Sequence, residues 1–206
     1  MREKNNPKIT IGITAYKQSN YVLAAIESVL NQLSVDWEGI IILDGESDYK
    51  TTRLFHNFKH PKFKKYCFEN NQGPYGTRSK AIELCRTEWY YQLDGDDLLP
   101  DNAINSILET INKNPNAEYI YGNCEYFTKN YSEIKYPIKN IESLSFGPLF
   151  NAVSPIKITL FKKIGGFFNE LYINADWDFW LSIYEQNIKG AYVNETIYKR
   201  RQRIDS

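Results

Sequence analysis

The 206 residues hold 25 Lys and Arg against 25 Asp and Glu, with 42% hydrophobic and 15% aromatic residues, enough apolar material for one globular domain with a real core. A formal net charge of zero removes the clustered cations that duplex nucleic acid requires, so no nucleic-acid partner is expected. Apolar stretches such as 39–43 fall far short of the ~20 residues of a membrane span, and the polar start, 1–8, has no signal-peptide core, which predicts a soluble, cytoplasmic protein.

Residues 8–14 are short and β-branched, a strand, and Ser19 then opens a helix with Val22, Ile26, Val29, Leu30 and Leu33 at helical spacing. The nearly continuous apolar run 37–43 predicts a strand buried on both faces, with a helix over 48–58 behind it. Two further strands are expected at 65–69 and 89–93, with a helix over 77–86 between them. Pro100 marks the start of another helix, striped by Ile104, Ile107, Leu108 and Ile111, and 117–126 is a strand. Periodicity weakens over 128–155, where loops, a hairpin and a short helix are expected. The segment 156–163, the turn Gly165-Gly166-Phe167 and a helix over 176–186, with Trp177, Trp180, Leu181 and Tyr184 on one side, complete a mostly parallel α/β sheet flanked by helices.

In open α/β sheets ligands bind beyond the C-terminal ends of the strands, and polar residues stand at those ends. Thr14 and Tyr16 follow the first strand, Asp44 the second, Asn70, Asn71 and Gly73 the third. After the fourth, Asp94-Gly95-Asp96-Asp97 puts three carboxylates into four residues. Their repulsion is relieved by water or by a divalent cation, and Mg²⁺ or Mn²⁺ takes one or two carboxylates plus substrate phosphates. The alternative is a solvated acidic turn in which Asp97 or Asp101 caps the next helix. Cys67, Cys85 and Cys124 are odd in number and lack C-x-x-C spacing, so neither a disulfide framework nor a zinc site is expected. The basic run Lys199-Arg200-Arg201-Gln202-Arg203 is a solvated end, a phosphate contact or a patch for anionic lipid.

From residue 8 nearly to the end, the ordered motifs resemble those of a family 2 glycosyltransferase with the GT-A fold. Ile9 to Tyr16 resembles the opening strand, and Ser28-Val29-Leu30-Asn31-Gln32 the following helix. Asp44-Gly45-Glu46-Ser47-Asp48 resembles the D-D/G-x-S-x-D turn. Asn71-Gln72-Gly73 with Arg78 resembles N-x-G…a-R-N, and Asp94-Gly95-Asp96-Asp97 the D-x-D-D metal motif. Gly165-Gly166-Phe167 and Asp176-Trp177-Asp178 resemble the acceptor-side G-G-F and E-D motifs.

The resemblance implies a single GT-A domain, with 1–127 its nucleotide-sugar-binding part and 128–206 its acceptor-side part. It implies an inverting, non-processive transfer of sugar from a nucleoside diphosphate sugar, a UDP-sugar foremost, to a saccharide or lipid-linked saccharide acceptor in polysaccharide or glycoconjugate synthesis. Tyr16 would stack on the base, with Asp44 and Thr14 on its polar edge, or these are a strand-end aromatic and a turn aspartate. Arg78 would pair with the diphosphate, or is an exposed helix cation. Asp94 would touch ribose or sugar, and Asp96 would bind Mn²⁺ or Mg²⁺. Asp176 would be the general base, with a helix N-cap as its structural alternative. Ala175 replaces the usual acidic neighbour. Arg203 stands near where many relatives place a metal-contacting histidine, and as a cation it would hold the leaving diphosphate instead. Peripheral contact with the inner face of a membrane is a further expectation. A non-catalytic nucleotide-sugar-binding domain and a nucleotidyltransferase are the competing readings, the second disfavoured because 14–20 contains no glycine.

Overall fold

In the computed structural model, which describes residues 7–45, 47–137, 153–168 and 174–203, the two most apolar runs become the central strands β1 (Ile9–Ala15) and β2 (Trp37–Leu43). β2 and β4 (Trp89–Asp94) flank β1 in parallel, and β3 (Phe63–Cys67) lies parallel beyond β2 as an edge. Beyond β4 the direction changes. The two-residue β7 (Ile156–Lys157) is antiparallel to β4 and to the start of β5 (Tyr119–Phe127). β6 (Ser132–Lys135) forms the expected hairpin with the end of β5, and β8 (Gly190–Arg201) runs parallel along the other side of β5. The short helix expected within 128–155 has no counterpart at 128–137 or 153–155, and residues 138–152 lie outside the described residues.

Alternation along the strands divides the core in two. Ile9, Ile11, Ile13, Ile41, Tyr91 and Leu93 pack toward α1 (Val22–Leu30) and α4 (Ala103–Lys113). On the opposite face Ile40, Ile42 and Tyr90 meet α3 (Gly73–Leu84), α5 (Ile158–Ile164) and α6 (Ala175–Glu185). The remaining helix, α2 (Tyr49–Asn57), is capped by the Asp48 carboxylate, which accepts from Thr51 N–H.

Several sequence expectations shift. Ser19 is not the cap of α1, whose preceding residue is Tyr21, and Leu33 lies past the helix and is exposed. α4 begins one turn after Pro100, from Asn102, so neither Asp97 nor Asp101 is its N-cap. α3 starts four residues earlier than the expected 77, because Pro74 fits a first helical turn, where its missing N–H leaves no bond unmade. The buried side of α6 is Ala175, Phe179, Trp180 and Ile183, with Tyr184 exposed. The C-terminal strand β8 has no counterpart in the sequence reading. Its pairing slips twice, around Asn123, and a bulge of this kind breaks the two-residue alternation by which a strand is recognised.

Candidate active site

Because β1, β2 and β4 are parallel and in register, with Thr14 opposite both Ile42 and Asp94, their C-terminal ends share one rim. A cleft of about 360 Å³ opens there. Thr14, Tyr16, Asp44, Arg78, Asp94, Asp96 and Arg203 all line it, so the rim gathers every donor-side and metal residue singled out from the sequence.

Asp44 is buried, and its carboxylate is bonded within the protein. Oδ1 accepts from Gln72 N–H at 2.7 Å, and Oδ2 accepts from Asn71 Nδ2 at 2.8 Å and Gly73 N–H at 3.1 Å. Burial pushes this carboxyl up and the two backbone donors oppose it. Asp44 therefore pins the turn that launches α3. Gly45 follows at φ +61°, where a Cβ would stand 2.3 Å from Asn71 N, so the turn admits no side chain.

Arg78, in the second turn of α3, reaches back to the end of β4. Its Nη2 donates to both oxygens of Asp94, at 3.0 and 2.8 Å, while Gln92 Nε2 donates to Asp94 Oδ1 and to Thr14 Oγ1, each at 3.1 Å. Burial opposes the guanidinium charge, but Asp94 outweighs it and holds Arg78 protonated. Arg78 is thus not an exposed helix cation. Among the described residues its buried Nε has no hydrogen-bond partner, a donor that calls for an oxygen.

Strand β8 clamps the acidic turn from beneath. Tyr198 OH accepts from Asp94 N–H at 3.1 Å and donates to Asp97 Oδ2 at 2.9 Å, and Arg201 N–H donates to Asp97 Oδ1 at 2.6 Å. Arg201 Nε reaches the Asp96 carbonyl at 2.8 Å, and Arg203 Nε lies 3.3 Å from Asp96 Oδ2. Burial, then repulsion from Asp94, pushes Asp97 up to about 7. The same two causes raise Asp96, with Arg203 opposing. Asp97 faces the protein; Asp94 and Asp96 face the cleft.

Among the described residues no three His, Cys, Asp or Glu are placed to hold a metal ion together. Asp96, beside an Asp94 already engaged by Arg78, fits a cation that draws its remaining ligands from phosphate and water, the habit of Mg²⁺. It does not fit one caged by protein alone.

Asp176 is not on the cleft wall. It is the second residue of α6, which Asn174 precedes at φ +66°, so it is not the N-cap. Its Oδ1 accepts from Trp177 N–H at 3.0 Å and from Tyr75 OH at 2.9 Å. Tyr75 was not singled out in the sequence; its place three residues before Arg78, hence on the same helical face, is the signal that could have found it. Tyr198 and Arg201 were missed with the rest of β8.

The profile of glycosyl transferase family 2 matches residues 10–168. The chain belongs to this family. It is 28% identical over 204 residues to the chondroitin synthase of Escherichia coli, covering 96% of this chain and 29% of that protein. It is 31% identical over 166 residues to a poly-beta-1,6-N-acetyl-D-glucosamine synthase of Staphylococcus epidermidis, covering 75% of this chain and 39% of that one. The chain thus spans well under half of either relative. Crystal structures of S. aureus TarS 1-349 in complex with UDP and with UDP-GlcNAc superpose on 95% of this family 2 chain, with TM-scores of 0.79 and 0.78 at 16% identity, over 60% and 59% of their own length. That likeness shows the GT-A fold. Among the described residues no helix is long and apolar enough to cross a membrane.

Proposed function

We propose that this chain is the catalytic domain of an inverting glycosyltransferase that moves a sugar from a nucleoside diphosphate sugar, a UDP-sugar foremost, to a hydroxyl of a saccharide or lipid-linked saccharide during surface polysaccharide or glycoconjugate synthesis. The convergence of seven polar or aromatic residues from five separate segments on one cleft carries this reading. The TarS complexes with UDP and UDP-GlcNAc support a donor of that kind.

Tyr16, 38% exposed at the end of β1, offers a face for the base, and Thr14 an edge. Arg78 and Arg203 bring positive charge to the diphosphate. Asp96 would hold Mn²⁺ or Mg²⁺, which when bound supplies a Lewis acid for the departing phosphate. Asp176 takes the proton of the acceptor hydroxyl as its oxygen forms a bond to the anomeric carbon and the bond from that carbon to the diphosphate breaks. Attack opposite the leaving group inverts the anomeric centre. The placement of Asp176 on α6, away from the donor-lined wall, suits a base for the incoming acceptor.

Asp176→Asn tests the assignment. Asparagine nearly keeps the shape, so UDP affinity and Tm should hold while turnover falls by about 10²–10⁴-fold. Retained turnover would move the base elsewhere, with Asp178 next. A parent that binds UDP yet turns over no UDP-sugar with any acceptor would favour a non-catalytic binding domain.

A further inference from the structure

Tyr75 is the third residue of α3, the helix whose first residue is tied to Asp44 and whose Arg78 grips Asp94. Its ring lies 5.5 Å from that of Phe167 and 5.6 Å from the Arg78 guanidinium carbon, and its hydroxyl crosses to α6 and donates to Asp176. Burial, then the neighbouring carboxylate, pushes this phenol above its ordinary range, so at neutral pH it is a donor. Among the described residues the hydrogen bonds to the Asp176 carboxylate, from Tyr75 OH and Trp177 N–H, both fall on Oδ1, and none falls on Oδ2.

We propose that Tyr75 is a positioning residue for Asp176, its hydroxyl fixing Oδ1 so that Oδ2 is the oxygen that receives the acceptor's proton. A carboxylate rotates about its last bond, and one oxygen held across a helix–helix gap selects one orientation. The same helix face that holds Asp94 through Arg78 would then set the angle of the base, fixing donor-side and acceptor-side groups relative to each other. This role rests on the reading of Asp176 as the base. The competing role for Tyr75 is ring packing on Phe167 alone, which Tyr75→Phe preserves.

The experiment measures UDP release from a panel of UDP-sugars, with water as acceptor, for the parent, Tyr75→Phe, Asp176→Asn and the double variant. Rates are taken on the folded fraction, with UDP affinity and Tm recorded on the same preparations. Tyr75→Phe is expected to lower kcat by about 10- to 100-fold, the cost of a misplaced reacting group, with UDP affinity and donor KM unchanged. On the Asp176→Asn background it should cost nothing more, because the effect passes through that carboxylate. Parental kcat in Tyr75→Phe, or the same loss on both backgrounds, overturns the proposal while leaving Asp176 as the base. Parental turnover in Asp176→Asn, or a parent that releases no UDP from any donor, defeats the base reading and this one with it.

Discussion

At the scale of single residues, burial decides what each polar group of the rim can do. Tyr16 is 38% exposed on the cleft wall, so its removal should leave Tm almost unchanged. Calorimetry on Tyr16→Ala is expected to show UDP binding weakened by about 1–3 kcal/mol, the range of one base-stacking contact; parental affinity would mean the ring faces no base. Asp44 differs, since its oxygens already hold three protein donors, and any base contact it makes is added to a structural duty the sequence could not reveal. Asp97 is held between Tyr198 and Arg201, with Asp94 and Asp96 as its like-charged neighbours. Its carboxyl is raised from the ordinary aspartate range to about 7, so the folded chain binds a proton there that the unfolded chain has released. That contribution to stability is present at low pH and is lost as pH rises toward 7. Asp97→Asn mimics the protonated form, so its Tm relative to the parent should improve between pH 5 and pH 8. A difference that stays flat with pH would show that Asp97 is ionised throughout.

Among elements, β8 was the least legible and α3 the most consequential. Strands β1, β2 and β4 are unbroken apolar or alternating runs closed by polar turns, and such runs announce themselves. β8 instead buries Ala191 and Val193, exposes Asn194 and Glu195 at the bulge, then buries the neighbours Ile197 and Tyr198. No single period describes it, though its β-branched and aromatic content was a usable signal. The basic run that ends it and continues to Arg203, read as a charge cluster, grips the acidic turn. Removing 198–206 would therefore unfold the domain rather than probe the tail, because Tyr198 is 2% exposed and bonded on both sides. Arg203→Ala is the cleaner test. Its side chain is 26% exposed, so Tm should barely move, while UDP affinity should fall by about 10-fold or more for one charged hydrogen bond; undiminished affinity would leave Arg203 as no more than the partner of Asp96. The start of α3 carries a second prediction. Gly45→Ala puts a Cβ into the Asn70–Asn71 backbone at positive φ, which should cost about 1–3 kcal/mol or more in chemical unfolding.

For the whole molecule, the proposed function asks one rim to accommodate a diphosphate among carboxylates. The sequence made the rim legible because parallel strands all deliver their C-terminal residues to the same side, so a list of strand-end residues is already a list of neighbours. It could not show which charges are already paired. Asp94 is engaged by Arg78, Asp96 by Arg203, and Asp97 by the Arg201 backbone, so no carboxylate of the turn is left unpaired. A diphosphate brings further negative charge to this balance, and either Arg203 leaves Asp96 to meet it or a divalent cation joins Asp96 and the phosphates. The two routes separate in titrations of UDP followed by calorimetry and by thermal shift. If the cation joins them, Mn²⁺ should strengthen UDP binding by about 10-fold or more and raise Tm with UDP by mass action. Asp96→Ala should abolish that gain while leaving the weaker, metal-free affinity. Equal affinity in EDTA and in Mn²⁺, lost in Arg203→Ala, would instead give the whole of the phosphate's charge compensation to the arginine. Metal dependence together with a separate, partial loss of affinity in Arg203→Ala is the expected pattern, because Asp96 lines the cleft and a carboxylate released from its arginine is a metal ligand with room for phosphate beside it.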